Sequence, residues 1–191
     1  MNETEQELIT MVLSGRTEAF EPLVTPYRGP VLALAYRLTR DREDAREVAQ
    51  EALLKAFRSL GRFDVSRSFR NWLFQIAANE ARDRRRRSRR EREAYEAAAH
   101  EGAADAPAPG PAPEAHRERR ETRSEIMRAL QVLGPREREV FVLRDLEELD
   151  IRETSRVLGC SAVSVRVHLS RARRKIRDAI RRDSPHLEAK R

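Results

Sequence analysis

The residues best suited to chemistry stand on one short stretch of this 191-residue chain, IRETSRVLGCSAVSVRVHLSRARRKIRDAI, residues 151–180. From Arg166 to Arg182, just past its end, the chain carries eight Arg or Lys against a single acid, Asp178. Val163, Val167, Ser170, Arg171 and Arg174 fall near one face of a helix. Small, adaptable side chains interspersed with arginine suit a helix lying in the DNA major groove, where the guanidinium fork pairs with guanine edges and phosphates. The chemistry is recognition of a polyanion, not the making or breaking of bonds. The plainer alternative is a packing helix with a solvated cationic face; the turn, cap and charge together favour DNA.

Those side chains need a frame. A first short helix would bury Val157 and Leu158, Gly159 supplies the permissive backbone of a tight turn, and Ser161 can cap the next helix by accepting from the amide of Ser164. In that helix Val165, Leu169, Ala172, Ile176 and Ile180 form one apolar face at the α-helical period. Cys160 reads as a small buried residue of the turn. The hydroxyl of Thr154 is expected to bond back to its own helix while its methyl packs. Upstream, Ile126, Leu130 and Leu133 mark one helix. Gly134-Pro135 breaks it and opens another over 136–144, with Val140, Phe141 and Leu143 inward.

The front half is a second helical set. Leu8, Ile9, Val12 and Leu13 share a face, Ser14-Gly15 stops that helix, and Thr17 could cap the next. Pro26 and Pro30 predict a kink or restart, with Pro30 opening a helix over 31–38. Asp41 begins the most regular helix. Ala45, Val48, Ala49, Ala52, Leu53, Ala56, Phe57 and Leu60 form its inner face; Glu43, Arg46, Glu47, Gln50 and Glu51 form its outer face. A loop over 62–68 leads to a helix over 69–87, with Trp72, Leu73, Ile76 and Ala77 inward. That helix runs into RDRRRRSRRER, a segment suited to phosphate contact.

Charge and composition fit this picture. The net charge is +7 with a sequence pI of about 10.4, which favours a polyanionic partner. Residues 1–60 hold eight basic against ten acidic side chains, so a protein partner is expected as well. Residues 94–116 contain ten alanines and four prolines and read as a tether. Roughly twenty residues at about 3.1 Å each would let two units sit some 60 Å apart. The fold class is therefore all-α: a helical domain over 1–92, a linker over 93–118, a helix-turn-helix domain over 119–183 and a tail over 184–191. One cysteine excludes an intramolecular disulfide and fits a reducing compartment. No signal-peptide run or membrane span is legible. Nor is there a phosphate-cradling glycine loop, a zinc-type spacing or a nucleophile motif, so no catalytic residue, metal or cofactor is expected.

Two segments carry a resemblance. DREDAREVAQEALLKAFRSLGRFDVSRSFRNWLFQIAANEARDRRRR resembles region 2 of bacterial RNA polymerase sigma factors of the extracytoplasmic-function group, and LGPREREVFVLRDLEELDIRETSRVLGCSAVSVRVHLSRARRKIR resembles region 4 of the same group. The resemblance implies that the chain binds core RNA polymerase, directs it to promoter DNA and helps melt the minus-ten element, without being an enzyme. It implies that Asp44, Glu47, Gln50 and Glu51 dock on the polymerase clamp. The loop residues Arg62, Phe63, Asp64 and Ser66 would capture an unstacked base, and Asn71, Gln75, Asn79, Arg82 and Arg85 would face the melted strand. Trp72 matches a mainly structural aromatic. Ser164, Arg166, Val167, Ser170, Arg171 and Arg174 would read the minus-thirty-five duplex, with Val167-His168 standing where Ser-Arg is frequent. An anti-sigma partner, a cytoplasmic location and association with the nucleoid follow from the same likeness. The runner-up is a polymerase-independent helix-turn-helix regulator, recognisable by a footprint of its own; a third class is an adaptor whose first domain docks only on protein.

Overall fold

Every regular element is helical, and no strand occurs among the described residues of the computed structural model, 3–98 and 126–183. Most of the expected linker and all of the expected tail lie outside them. The first unit opens with α1, Glu3–Leu13, which buries Ile9 and Val12. Gly15 ends it at φ 97°, a conformation in which glycine carries no Cβ penalty. A 3-10 turn, Thr17–Ala19, then runs directly into α2, Phe20–Thr39. Thr17 caps neither element: no side chain closes either N-terminus.

The expected break at Pro26 and Pro30 does not occur; α2 is continuous through both. Pro22, Pro26 and Pro30 are four residues apart and all exposed, so the carbonyls they leave unpaired face water. The opposite face buries Leu23, Val24, Val31, Leu34, Ala35 and Leu38, and that apolar stripe holds the helix together across the missing bonds. Arg40, at φ 66°, closes α2.

Asp41 starts α3, Arg42–Ser59, accepting from the amides of Glu43 and Asp44 at 2.8 and 2.9 Å. Its inner face is largely alanine (Ala45, Ala49, Ala52, Ala56), so its backbone can approach α2 and α4 closely. Phe57, expected inside, is 39% exposed and packs edge-on against Phe20. A 3-10 turn, Leu60–Arg62, leads to the loop and then to α4, Phe69–Ala98, which continues well past 87 and past the expected boundary at 92. Phe69, Leu73, Phe74, Ala77, Ala78 and Ala81 are buried along it. This arc is wider than the sequence pattern implied, because α4 is covered by α2 and α3 on one side and by the second unit on the other.

The second unit comprises α5 (126–131), α6 (Pro135–Phe141), a π-helical stretch (Val142–Leu146), α7 (Ile151–Leu158) and α8 (Ala162–Asp183). The π stretch widens one turn and rotates the register. Val142 and Leu143 therefore point inward while Phe141 is only half-buried. Arg138 closes the end of α5 by donating to the carbonyls of Leu130 and Leu133 at 3.2 and 2.8 Å. Burial, with Arg40 and Arg85 nearby, pulls its guanidinium down to about 10.

Asp150 and Glu153 form a reciprocal capping box on α7, each carboxylate accepting the other's amide at 2.8 Å. Gly159 turns the chain at φ 60°, and Ser161 accepts from the Ser164 amide at 3.1 Å. Cys160 is half-buried, its carbonyl receiving the Ser155 hydroxyl. Thr154 is fully buried, but its hydroxyl has no partner, contrary to the expected bond back to the helix. A desolvated, unpaired hydroxyl costs about 1–3 kcal/mol. Thr154→Val keeps the shape and removes that cost, so it should stabilise the second unit by about 1 kcal/mol. A thermal melt of the variant no higher than that of the parent would show the hydroxyl to be satisfied in solution.

Candidate nucleic-acid interface

Three surfaces hold the residues singled out from the sequence. The first is α8. Val165, Leu169 and Ala172 bury one side against α6 and α7, Ile176 is half-buried, and the apolar stripe gives out before Ile180. The other side presents Arg166, Val167, Ser170, Arg171 and Arg174 to solvent, with Ser164 half-buried at its start. Val163, 65% exposed, extends the same apolar-and-basic surface. Arg173 is turned away from it by a two-point bond to Asp145 at 2.6 and 2.8 Å. The structure thus sorts the arginines of α8 into structural and outward-facing ones.

The second surface is the outer face of α3, where Glu47, Gln50 and Glu51 are exposed and Asp44 is half-buried. Arg84 of α4 reaches across to Asp44 at 2.6 Å and Glu47 at 2.9 Å. The Asp44 bond pushes the Arg84 guanidinium higher still. Arg84 was not singled out from sequence, yet it fixes two of the four acids and amides on this face. Glu47, Gln50 and Glu51, with Lys55, Arg86, Arg87 and Arg90, border one cleft between α3 and α4.

The third surface is α4 with its preceding loop. Arg62, Asp64 and Ser66 are exposed, and Asp64 ties the loop by accepting from the Ser66 amide at 2.9 Å and its hydroxyl at 2.7 Å. These bonds hold the Asp64 carboxyl below the usual range. Phe63 is not presented to a base. It is buried, with ring centroids 5.6 Å from Phe69 and 4.9 Å from Trp72. The loop is short, and its one aromatic gains more from joining this cluster than from facing water. Trp72, half-buried, belongs to the same cluster, in keeping with its structural reading.

Asn71, Gln75, Asn79, Arg82 and Arg85 do form one stripe on α4, but the second unit lies over it. Asn71 donates to the Glu153 carboxylate and Gln75 to the Arg156 carbonyl at 3.4 Å. Arg82 and Arg85 reach Glu139 at 3.5 and 3.2 Å, and Arg82 also donates to Asn79 at 3.1 Å. Arg37 of α2 and Arg70 of α4 converge on Glu147, Arg70 at 2.8 Å. Burial holds the Glu147 carboxyl above its usual range despite both arginines. None of Glu139, Glu147, Arg37 and Arg70 was marked from sequence.

The chain matches the family model of Sigma-70 region 2 over residues 23–91 and that of Sigma-70 region 4 over 123–176. It is 33% identical to the RNA polymerase sigma-H factor of Pseudomonas aeruginosa, an alignment covering 93% of this chain and 94% of that one. It is 31% identical to the ECF RNA polymerase sigma-E factor of Escherichia coli, over 91% and 92%. The chain belongs to the sigma-70 family of RNA polymerase sigma factors, in its extracytoplasmic-function group. Sigma factors are initiation factors, not enzymes, in keeping with the lack of a nucleophile motif in the sequence. Among solved structures, CnrH in complex with the cytosolic domain of CnrY aligns at TM-score 0.67 and 27% identity, covering 95% of this sigma factor and all of that chain. The sigma factor RpoE of Bartonella quintana, in complex with the anti-sigma factor NepR, shares the fold at TM-score 0.67 and 22% identity, over 85% and 96%. Among the described residues no helix is long and apolar enough to cross a membrane, and no cluster of side chains could hold a metal ion.

Proposed function

We propose that this sigma factor docks on core RNA polymerase through Asp44, Glu47, Gln50 and Glu51 of α3, and on the minus-thirty-five duplex through Ser164, Arg166, Val167, Ser170, Arg171 and Arg174 of α8. Asn71, Gln75, Asn79, Arg82 and Arg85 of α4, with Arg62, Asp64 and Ser66 of the loop, receive the melted minus-ten strand. Phe63 supports the loop from inside. The observation that carries this reading is the pairing of region 2 and region 4 on one chain with an exposed acidic face on the first and an exposed arginine face on the second. Acids suit a basic partner surface and steer encounter with it; arginines suit duplex DNA. Binding energy drives strand opening, and no hydrolysis is involved.

The working division is 1–92 for polymerase and the minus-ten element, 93–118 as connection and 119–183 for the upstream duplex. The site of action is the bacterial cytoplasm, on the nucleoid. An anti-sigma partner is in keeping with the complexes formed by CnrH and RpoE. Reconstituted transcription with core polymerase and genomic promoter fragments tests the function. Initiation at a discrete promoter set is expected, and failure at every genomic promoter would refute it.

A further inference from the structure

The outward face of α8 carries two side chains that neither its charge nor its packing explains. Val163 is 65% exposed and Val167 is 42% exposed, and neither joins the hydrophobic core. They stand four residues apart, so they are neighbours on one row of the helix, and Arg171 continues that row four residues further on. The rest of the face, Arg166, Ser170 and Arg174, is polar. A valine in water gains nothing from burial, and its branched Cβ makes it a poorer helix former than alanine or arginine. The rotation of α8 is fixed by Val165, Leu169 and Ala172, whose burial turns the valine row outward. Both valines lie in the first two turns of α8, Ala162–Asp183, and a recognition helix meets base edges with its N-terminal residues.

We infer that Val163 and Val167 read the C5-methyl groups of two neighbouring thymines, which gives this sigma factor a thymine preference within its upstream element. The inference rests on the duplex role proposed above for α8. A valine side chain neither donates nor accepts a hydrogen bond, and the thymine methyl is the one apolar group that unmodified bases present in the major groove. Set against cytosine N4, adenine N6 or guanine O6, the same valine strips water from a polar group and returns no bond. Discrimination therefore has two parts, a gain at thymine and a loss at the other bases. Four residues advance the helix by about 6 Å, close to two base-pair steps of about 3.4 Å. The two methyls thus belong to thymines one or two steps apart. Arg171, about 6 Å further along the row, reaches past them to the next guanine edge or phosphate.

The test uses polymerase holoenzyme assembled with the full chain, and a genomic promoter fragment at which that holoenzyme initiates. In one version every thymine of the upstream segment is replaced by deoxyuridine, which removes the methyl and keeps every base pair. A fragment with the upstream segment scrambled is the control. The parent should bind the uracil fragment about fourfold more weakly for each methyl that a valine meets, and about tenfold or more for the two. Holoenzyme carrying V163S/V167S should bind the thymine and uracil fragments alike. The uracil arm changes only the DNA, so it is independent of how the variant folds. Equal affinity of the parent for thymine and uracil, or a thymine preference that V163S/V167S leaves intact, would overturn the methyl reading. If scrambling still weakens binding, the duplex role of α8 stands without it. Scrambling with no effect would overturn that role, and the methyl reading with it. Tighter binding of a segment carrying 5-methylcytosine, with no response to uracil, would move the contact to modified cytosine and overturn the thymine assignment.

Discussion

Replacing Glu47 and Glu51 by lysine is expected to remove most of the affinity for core RNA polymerase while leaving the chain folded. Both carboxylates are exposed on the outer face of α3, away from its alanine face, so no packing is lost. Opposing like charges across a docked interface costs several kcal/mol, which corresponds to a loss on the order of a hundredfold to a thousandfold in affinity. The ammonium introduced in place of Glu47 would also face Arg84, which pairs with both Glu47 and Asp44 in the parent chain; the Asp44 bond remains to hold Arg84 in place. Polymerase binding by titration, with duplex binding by the same chain as the control, separates a docking defect from a folding defect. Undiminished polymerase affinity would remove α3 from the docking surface.

Arg171→Ala with Arg174→Ala should abolish discrimination of the upstream promoter element. Each arginine is exposed on the face of α8 opposite Val165, Leu169 and Ala172. Truncating a base-reading arginine costs about 1–3 kcal/mol, so the pair should weaken duplex binding by about two orders of magnitude or more. The salt dependence distinguishes the two kinds of contact. If either arginine meets a phosphate, the slope of log affinity against log salt should fall by about one for each such contact. An unchanged slope with lost sequence preference would assign both to base edges. Unchanged affinity would mean that the helix enters the groove by another face.

Much of the second unit was legible because its local signals agree with one another. Gly159, Ser161 and the spacing Val165, Leu169, Ala172 each specify the same turn and helix, and all three were found where the pattern put them. The prolines of α2 misled because a local rule was read without the face on which it acts. Three prolines in one exposed row leave the buried stripe of the helix intact. Phe63 misled for the opposite reason. A lone aromatic in a polar loop looks available, but two further rings lie close by on α4.

The contact between the units was invisible to local patterns. Arg37 and Glu147 stand 110 residues apart, and abundant carboxylates ordinarily belong to solvated surface pairs. One sign was present: Glu139 precedes Leu143 by four residues, on the face that must turn inward. A charge at such a position calls for buried partners.

The tilted stack of Trp72 on Phe63 has an optical consequence. Trp72 is the only tryptophan of the chain, and indole emission shifts to longer wavelength as water reaches the ring. Its neighbour in sequence, Asn71, bonds Glu153 of the second unit, and its neighbour in space, Phe63, anchors the loop. The intrinsic fluorescence of the unlabelled protein therefore comes from the joint between the loop, α4 and the second unit, with no other indole to dilute the signal.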